Sequence, residues 1–223
     1  MEHTNPDTWL TRPWRQAPLV AIDLEGSGAQ DGPDEAILEV AAVLLVHGAP
    51  DTPTAYTTLI NPGRRIPPRP WISPGLTPEA LDAAPTLDTV TGDLATRLNG
   101  RILVGHNVAV DWRLLHRRCP TLTPAALLDT YKLARSIITT GSRSLTRLLD
   151  TLKLTDAVNT AAPGSRPHRA LWDTTGAAVL LATLIARRWT AEPTLATVLA
   201  AGGLPLEPGV LQEPHRADTP TLF

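Results

Sequence analysis

The stretch Val20-Ala21-Ile22-Asp23-Leu24-Glu25-Gly26-Ser27-Gly28 decides how the rest of this chain is read. Apolar residues 19–22 run into two carboxylates and then into a Gly-Ser-Gly turn. A short, continuous apolar run bounded by turn residues reads as a buried central strand. On a strand, positions i and i+2 share a face, so Asp23 and Glu25 crowd together at the strand's end. Two like charges so placed repel unless something cationic sits between them. Either solvent separates the two acids, or a metal ion joins them.

The segments around this strand set the fold class. Residues 36–46, AILEVAAVLLV, are apolar throughout, and their valines and the following HGAPDTP turn favour a strand. AYTTLINP, residues 55–62, reads as a third strand, so 18–62 forms an antiparallel meander. Thr77 and Thr86 stand as N-caps of a short helix and a longer one. RILVGHN is a strand leading to a helix that opens at Asn107. ALLDT is another strand, followed by the helices YKLARSI and SLTRLLDTLKL. After a loop carrying Pro163, Gly164 and Pro167, a long helix is expected from Ala170 to Trp189. A meander followed by alternating helices and strands is an α/β arrangement with a mixed five-stranded sheet flanked by helices, residues 19–25 at its centre.

The totals agree with one well-buried domain. The chain has 223 residues, 43% of them hydrophobic, with one Phe, two Tyr and six Trp, so the core rests on aliphatic side chains. Residues 18–190 are expected to form that domain. Residues 1–17 read as an N-terminal extension tied down by Trp9 and Trp14, and the Pro-rich residues 191–223 as a partly disordered C-terminal extension, with coil or tail from about residue 201. A single cysteine, Cys119, excludes an intramolecular disulfide and a Cys-based zinc site. The polar N-terminus and the short apolar runs imply no membrane partner and a cytoplasmic location. Net charge is −2, which is no basic signature of nucleic-acid binding. Clustered acids that hold cations are compatible with such binding all the same, because the ions neutralise them.

Three more places carry chemistry. In GHNVAVDW, His106 and Asn107 follow the strand and Asp111 falls in the first turns of the helix, where the helix dipole favours a carboxylate. In HRALWDT, Asp173 opens the long helix, whose inner face is Ala177, Leu180, Leu181 and Leu184. His168 precedes Asp173 by five residues, a spacing that puts the two on different helical faces, so the imidazole belongs to the loop. Each piece alone has a plain structural reading as a solvated turn, a cap or a surface residue. The joint pattern is D-x-E, then H-N-x-x-x-D, then H-x-x-x-x-D, in that order along a meander and two βα units.

With those motifs in order, residues 18–189 resemble the DEDDh, DnaQ-like 3′–5′ exonucleases. ILEVAAV, GHNVAVDWRLL, DTYKLAR, SLTRLLDTLKL and HRALWDT carry the likeness. The resemblance implies a ribonuclease H-like fold and hydrolysis of phosphodiester bonds from a 3′ end with two Mg²⁺ or Mn²⁺ ions. It implies that Asp23 bridges both ions, that Glu25 and Asp173 complete one, that Asp111 serves the other, and that His168 is the general base. All four acids offer hard oxygen ligands suited to such ions. Gly26, Ser27, Leu76 as a wedge beside the terminal base, His106 and Asn107 would hold the substrate. Arginines 64, 65, 113, 166 and 169 flank these motifs.

The implied partner is the 3′ end of single-stranded DNA, with RNA the alternative and a polymerase a further partner. A non-catalytic nucleic-acid-binding module on the same fold is the reading of a different class. Two positions depart from the family pattern: Pro74-Gly75-Leu76-Thr77 lacks the usual histidine, and Val110 stands where an aromatic residue is common. The ending, DTPTLF, resembles short peptides that dock in the bacterial sliding clamp through Leu222 and Phe223, with Thr219 in place of the usual Gln.

Overall fold

The computed structural model describes residues 7–28, 32–67, 72–73 and 75–206. In chain order the elements are α1 (Asp7–Leu10), β1 (Leu19–Gly26), β2 (Ile37–Val46), β3 (Ala49–Pro50), β4 (Tyr56–Leu59), α2 (Pro78–Asp82), α3 (Leu87–Leu98), β5 (Ile102–Gly105), α4 (Val108–Arg118), β6 (Ala126–Asp129), α5 (Thr130–Arg135), α6 (Leu145–Thr151), α7 (Thr155–Ala161), α8 (Ala170–Arg188), α9 (Leu195–Gly202) and β7 (Gly203–Leu204). The sheet runs β3-β2-β1-β5-β6-β7, with β4 also paired to β2. β1, β2 and β4 form the expected antiparallel meander, and β5 and β6 lie parallel to β1. The five expected strands are all present, and the two-residue β3 and β7 extend the sheet at its edges.

The pleat of β1 sorts its residues between two cores. Val20 and Ile22 face one side, packed with Leu94 and Leu98 of α3 and Val108 and Leu115 of α4. Leu19 and Ala21 face the other, under Ala178, Leu181 and Leu184 of α8. Both faces of β1 are therefore covered, which explains its unbroken apolar run. The α8-facing parity continues past Ala21 to Asp23 and Glu25, so the two acids extend the same stripe beyond the core. Pairing between β1 and β2 shifts register at Glu25/Gly26, a bulge that ends the regular ladder where the acids stand.

Three segments differ from the expectation. β4 stops at Leu59, because Asn61 turns away to bridge Thr86 and donates its N–H to the Pro85 carbonyl at 2.8 Å. Residues 155–161 form α7, whose Val158 is buried and whose Asn159 accepts from the Trp172 indole at 2.9 Å. Between residues 191 and 206 the chain carries two elements that the sequence reading did not assign. Thr194 caps α9 by accepting from the Thr197 N–H at 3.3 Å, and Leu195 and Val198 are buried. Residues 203–204 then add β7 antiparallel to β6, and the Trp112 indole donates to the Leu206 carbonyl at 2.7 Å. Leu222 and Phe223 lie outside the described residues.

The N-terminal segment closes against this C-terminal one. Pro13 and Thr194 form a bridge, and Trp14 is 0% exposed within the α8-side core. Among the described residues, no helix is long and apolar enough to cross a membrane. Replacing a fully buried tryptophan removes its transfer energy and leaves a cavity. Trp14→Ala is therefore expected to lower stability by about 3–5 kcal/mol in chemical denaturation. A loss below about 1 kcal/mol would mean that the segment contributes nothing to the core.

Candidate active site

β1, α4 and α8 converge where β1 leaves the core. Asp23, Glu25 and Asp173 each offer a carboxylate oxygen, and these oxygens all lie within 4.8 Å of one another. Asp173 arrives in the first turn of α8, whose packing on β1 and β2 is fixed by buried Ala170, Trp172, Thr174 and Ala177. Asp111 approaches from the opposite face of the sheet, from the first turn of α4. Its Oδ1 accepts from the Leu24 backbone N–H at 3.0 Å, which sets it at the strand end between Asp23 and Glu25. The four acids singled out in the sequence are thus brought together, all half-buried at one end of the sheet.

Gathering them is electrostatically costly. Burial, followed by the charges of Asp111, Asp173, Glu25 and Glu39, raises the Asp23 carboxyl well above the usual carboxylate range. Burial pushes Glu25 up to about 7, against the hydrogen bond it accepts from Ser73. Asp111 is also raised to about 7 by burial, although the Leu24 N–H opposes the shift. Asp173 rises to about 7 by burial, opposed by the His168 backbone N–H and reinforced by Glu39. One of its oxygens, Oδ1, is buried without a hydrogen-bond partner. Converging hard oxygens, an orphaned carboxylate oxygen and shared negative charge fit a divalent cation, which would relieve all three.

His168 is exposed on the loop before α8, with its backbone in the left-handed region at φ 63°. Its backbone N–H donates to Asp173, which ties this loop to the acidic cluster. The other predicted residues take less direct positions. The His106 ring is engaged at both nitrogens, with Thr130 Oγ1 at 3.0 Å and the Arg143 carbonyl at 2.8 Å. Burial lowers its pKa to about 4, so it braces the ends of β5 and α5 as a neutral ring. Asn107 is exposed and left-handed at φ 66°, its N–H donating to Asp129 Oδ1 at 2.9 Å. Leu76 is packed with Leu38, Ile66 and Leu81. Ser27 is tied to Ala36 through both its N–H and its Oγ. A Cβ on Gly26 would stand 2.2 Å from Glu35 Oε1, so this glycine makes room for a carboxylate of the chain itself.

Three supporting residues escaped the motif reading. Ser73 Oγ donates to Glu25 Oε2 at 2.6 Å, and no sequence signal marks it. Asp129 ends β6 and accepts from the N–H groups of Asn107 and Tyr131, a role that its place before a helix could have suggested. Glu39 is buried in β2 directly opposite Glu25 and forms a bidentate pair with Arg169 at 2.8 and 2.7 Å. A lone acid inside ILEVAAVLLV was the available signal, since a buried charge requires a partner.

This fold and this acidic cleft are those of a nuclease. Residues 20–181 match the RNase_T exonuclease family, and the chain belongs to it, as the motifs implied. It is 32% identical over 183 residues to a Mycobacterium tuberculosis protein named as a bifunctional exonuclease/endonuclease, covering 78% of this chain and 27% of that one. It is 30% identical over 164 residues to the PolC-type DNA polymerase III of Thermotoga petrophila, covering 72% of this chain and 11% of the polymerase. These curated relatives are therefore several times longer than the region they share with this chain. Among solved structures, exonuclease X in complex with 5′ overhanging duplex DNA superposes with a TM-score of 0.60 and 26% identity, over 81% of this chain and 98% of that one.

The raised carboxyl groups make stability depend on pH in a definite direction. An unfolded carboxyl titrates near about 4, so between about 4 and 7 the folded metal-free protein binds more protons than the unfolded chain. Stability of the metal-free protein is thus expected to fall as pH rises through that window. Melting in EDTA should occur at a higher temperature near about pH 5 than near about pH 8, with all other groups held to smaller changes by a D23N/D173N comparison. Mg²⁺ or Mn²⁺ should raise the melting temperature mainly at the higher pH. A metal effect equal at both values would contradict this linkage.

Proposed function

We propose that the chain is a 3′–5′ exonuclease that hydrolyses phosphodiester bonds at the 3′ end of single-stranded DNA and releases nucleoside 5′-monophosphates. The observation that carries this reading is the convergence of Asp23, Glu25 and Asp173 beside Asp111 at one sheet end, with His168 on the loop whose N–H meets Asp173. Asp23, Glu25, Asp111 and Asp173 would hold two Mg²⁺ or Mn²⁺ ions. Such ions, when bound, would supply positive charge to neutralise the phosphate and the attacking and leaving oxygens. His168 then takes the proton from the attacking water, a task suited to an imidazole near neutral pH. Its exposed loop position lets it meet a water that arrives with the substrate.

Terminal nucleotides would lie along the segment from Gly26 to Ser27 and past Asn107, which is exposed at the start of α4. The metal chemistry acts on phosphate and is indifferent to the sugar, so a contact to the 2′-hydroxyl decides between DNA and RNA. The relationship to a polymerase III supports a role in trimming or proofreading beside a polymerase.

The test is degradation of matched 3′-labelled and 5′-labelled single-stranded DNA and RNA with Mg²⁺, Mn²⁺ or EDTA, using Asp23→Ala as the control. Stepwise, metal-dependent loss from the 3′ end of DNA, absent in Asp23→Ala, is the expected result. Faster trimming of RNA would move the activity to the ribonuclease branch, and cleavage of neither would leave a binding module. His168→Ala should lower kcat by a factor of about 10² to 10⁴ while metal binding persists. A variant as fast as the wild type would remove His168 from the chemistry.

A further inference from the structure

Resting on that reading of His168, we propose that the Glu39–Arg169 pair is a positioning device for the general base. Glu39 is 3% exposed and rises from β2 opposite Glu25. Its two oxygens accept from Arg169 Nε at 2.8 Å and Nη2 at 2.7 Å, and Oε2 also accepts from the Ala170 N–H at 3.3 Å. Arg169 is the N-cap of α8 and makes no side-chain cap of its own. Glu39 thus supplies the cap from another strand, as a carboxylate at a helix N-terminus does.

The two neighbours of this clamp depend on it unequally. Asp173 sits inside α8, a helix already anchored by its buried face. His168 lies outside the helix, is exposed, and holds a left-handed backbone, an uncommon conformation for a residue with a side chain. Before it, Pro163, Gly164, Arg166 and Pro167 are exposed. The fixed Arg169, next in the chain, and the bond from the His168 N–H to Asp173 hold the backbone from which the imidazole projects.

The guanidinium has a second neighbour. A Cβ on Gly75, which has φ +96°, would stand 3.2 Å from Arg169 Nη1. Gly75 belongs to the turn whose Ser73 holds Glu25. Arg169 therefore lies against the turn that holds Glu25 as well as against β2. Lysine would keep the charge and lose the planar fork that makes two parallel bonds.

The experiment is a double-mutant cycle on the full chain, measuring kcat and KM for 3′-end trimming with Mn²⁺. R169K and E39Q are each expected to lower kcat about 10- to 100-fold, a scale set by misplacement of a catalytic group, with KM changed less than threefold. In an H168A background, R169K should cost less than about threefold further, because a device that acts through His168 has nothing left to position. In metal-free protein, the His168 imidazole NMR signals, assigned by their loss in H168A, should move toward their random-coil positions in R169K. Wild-type kcat in both single variants, or a penalty that multiplies undiminished through the H168A background, would overturn the proposal. If instead H168A alone keeps the wild-type rate, the base assignment fails. Thermal melts of R169K and E39Q identify any variant that loses activity by unfolding.

Discussion

The rest of this structure depends on the repulsion among carboxylates gathered at one end of β1. Asp23 and Glu25 share a face because strand geometry gives them no alternative, and that face is also the one α8 covers. Asp173 enters from α8 and Asp111 from α4, so acids from both sides of the sheet meet where the ladder ends. Nothing in packing favours this. Burial and mutual charge raise all four carboxyl groups, and an oxygen of Asp173 is left without a partner. Such an arrangement persists in a stable domain when the cost is carried by a large core and relieved by cations during function.

The surrounding architecture serves to hold this unfavourable cluster in place. The parallel partner β5 and the adjacent β6 bring α4 to the sheet end, and Asp129 fixes the turn between β5 and α4 through the Asn107 N–H. His106 joins that turn to α5 and to the loop before α6, and as a neutral ring it adds no charge to the cleft. On the other face, Glu39 and Arg169 pin the start of α8 to β2. Ser73 holds Glu25 from above. Glu25, Asp111 and Asp173 are therefore each oriented by a backbone or side-chain donor, and Asp23 by its place in β1.

Much of this was legible in the residue order. The central strand, its two acids, the meander and the long last helix follow from unbroken apolar runs and from periods of two and 3.6. Asp111 and Asp173 were found because both stand in first turns of helices, where their spacing from a histidine is distinctive. Less legible were features that arise only from tertiary approach. Ser73 meets Glu25 across 48 residues of chain, and Arg169 meets Glu39 across 130. α9 and β7 were hidden because Gly202 and Gly203 read as a breaker, whereas here they carry the chain from a capped helix into an edge strand. Of the residues named from the motifs as substrate contacts, the chain itself engages both ring nitrogens of His106 and packs Leu76 into a small core cluster.

The most direct test of the claim that these acids exist to hold cations is calorimetric titration of Mn²⁺ into the protein with a nucleoside 5′-monophosphate present. It would be run near about pH 6.5, where carboxyl groups raised to about 7 still carry protons that binding must displace. Repeating it in buffers of different ionisation heat counts those protons. The expected result is two ions per chain with net proton release, both lost in Asp23→Asn. Absence of saturable binding, or binding that releases no protons and survives Asp23→Asn, would contradict the account.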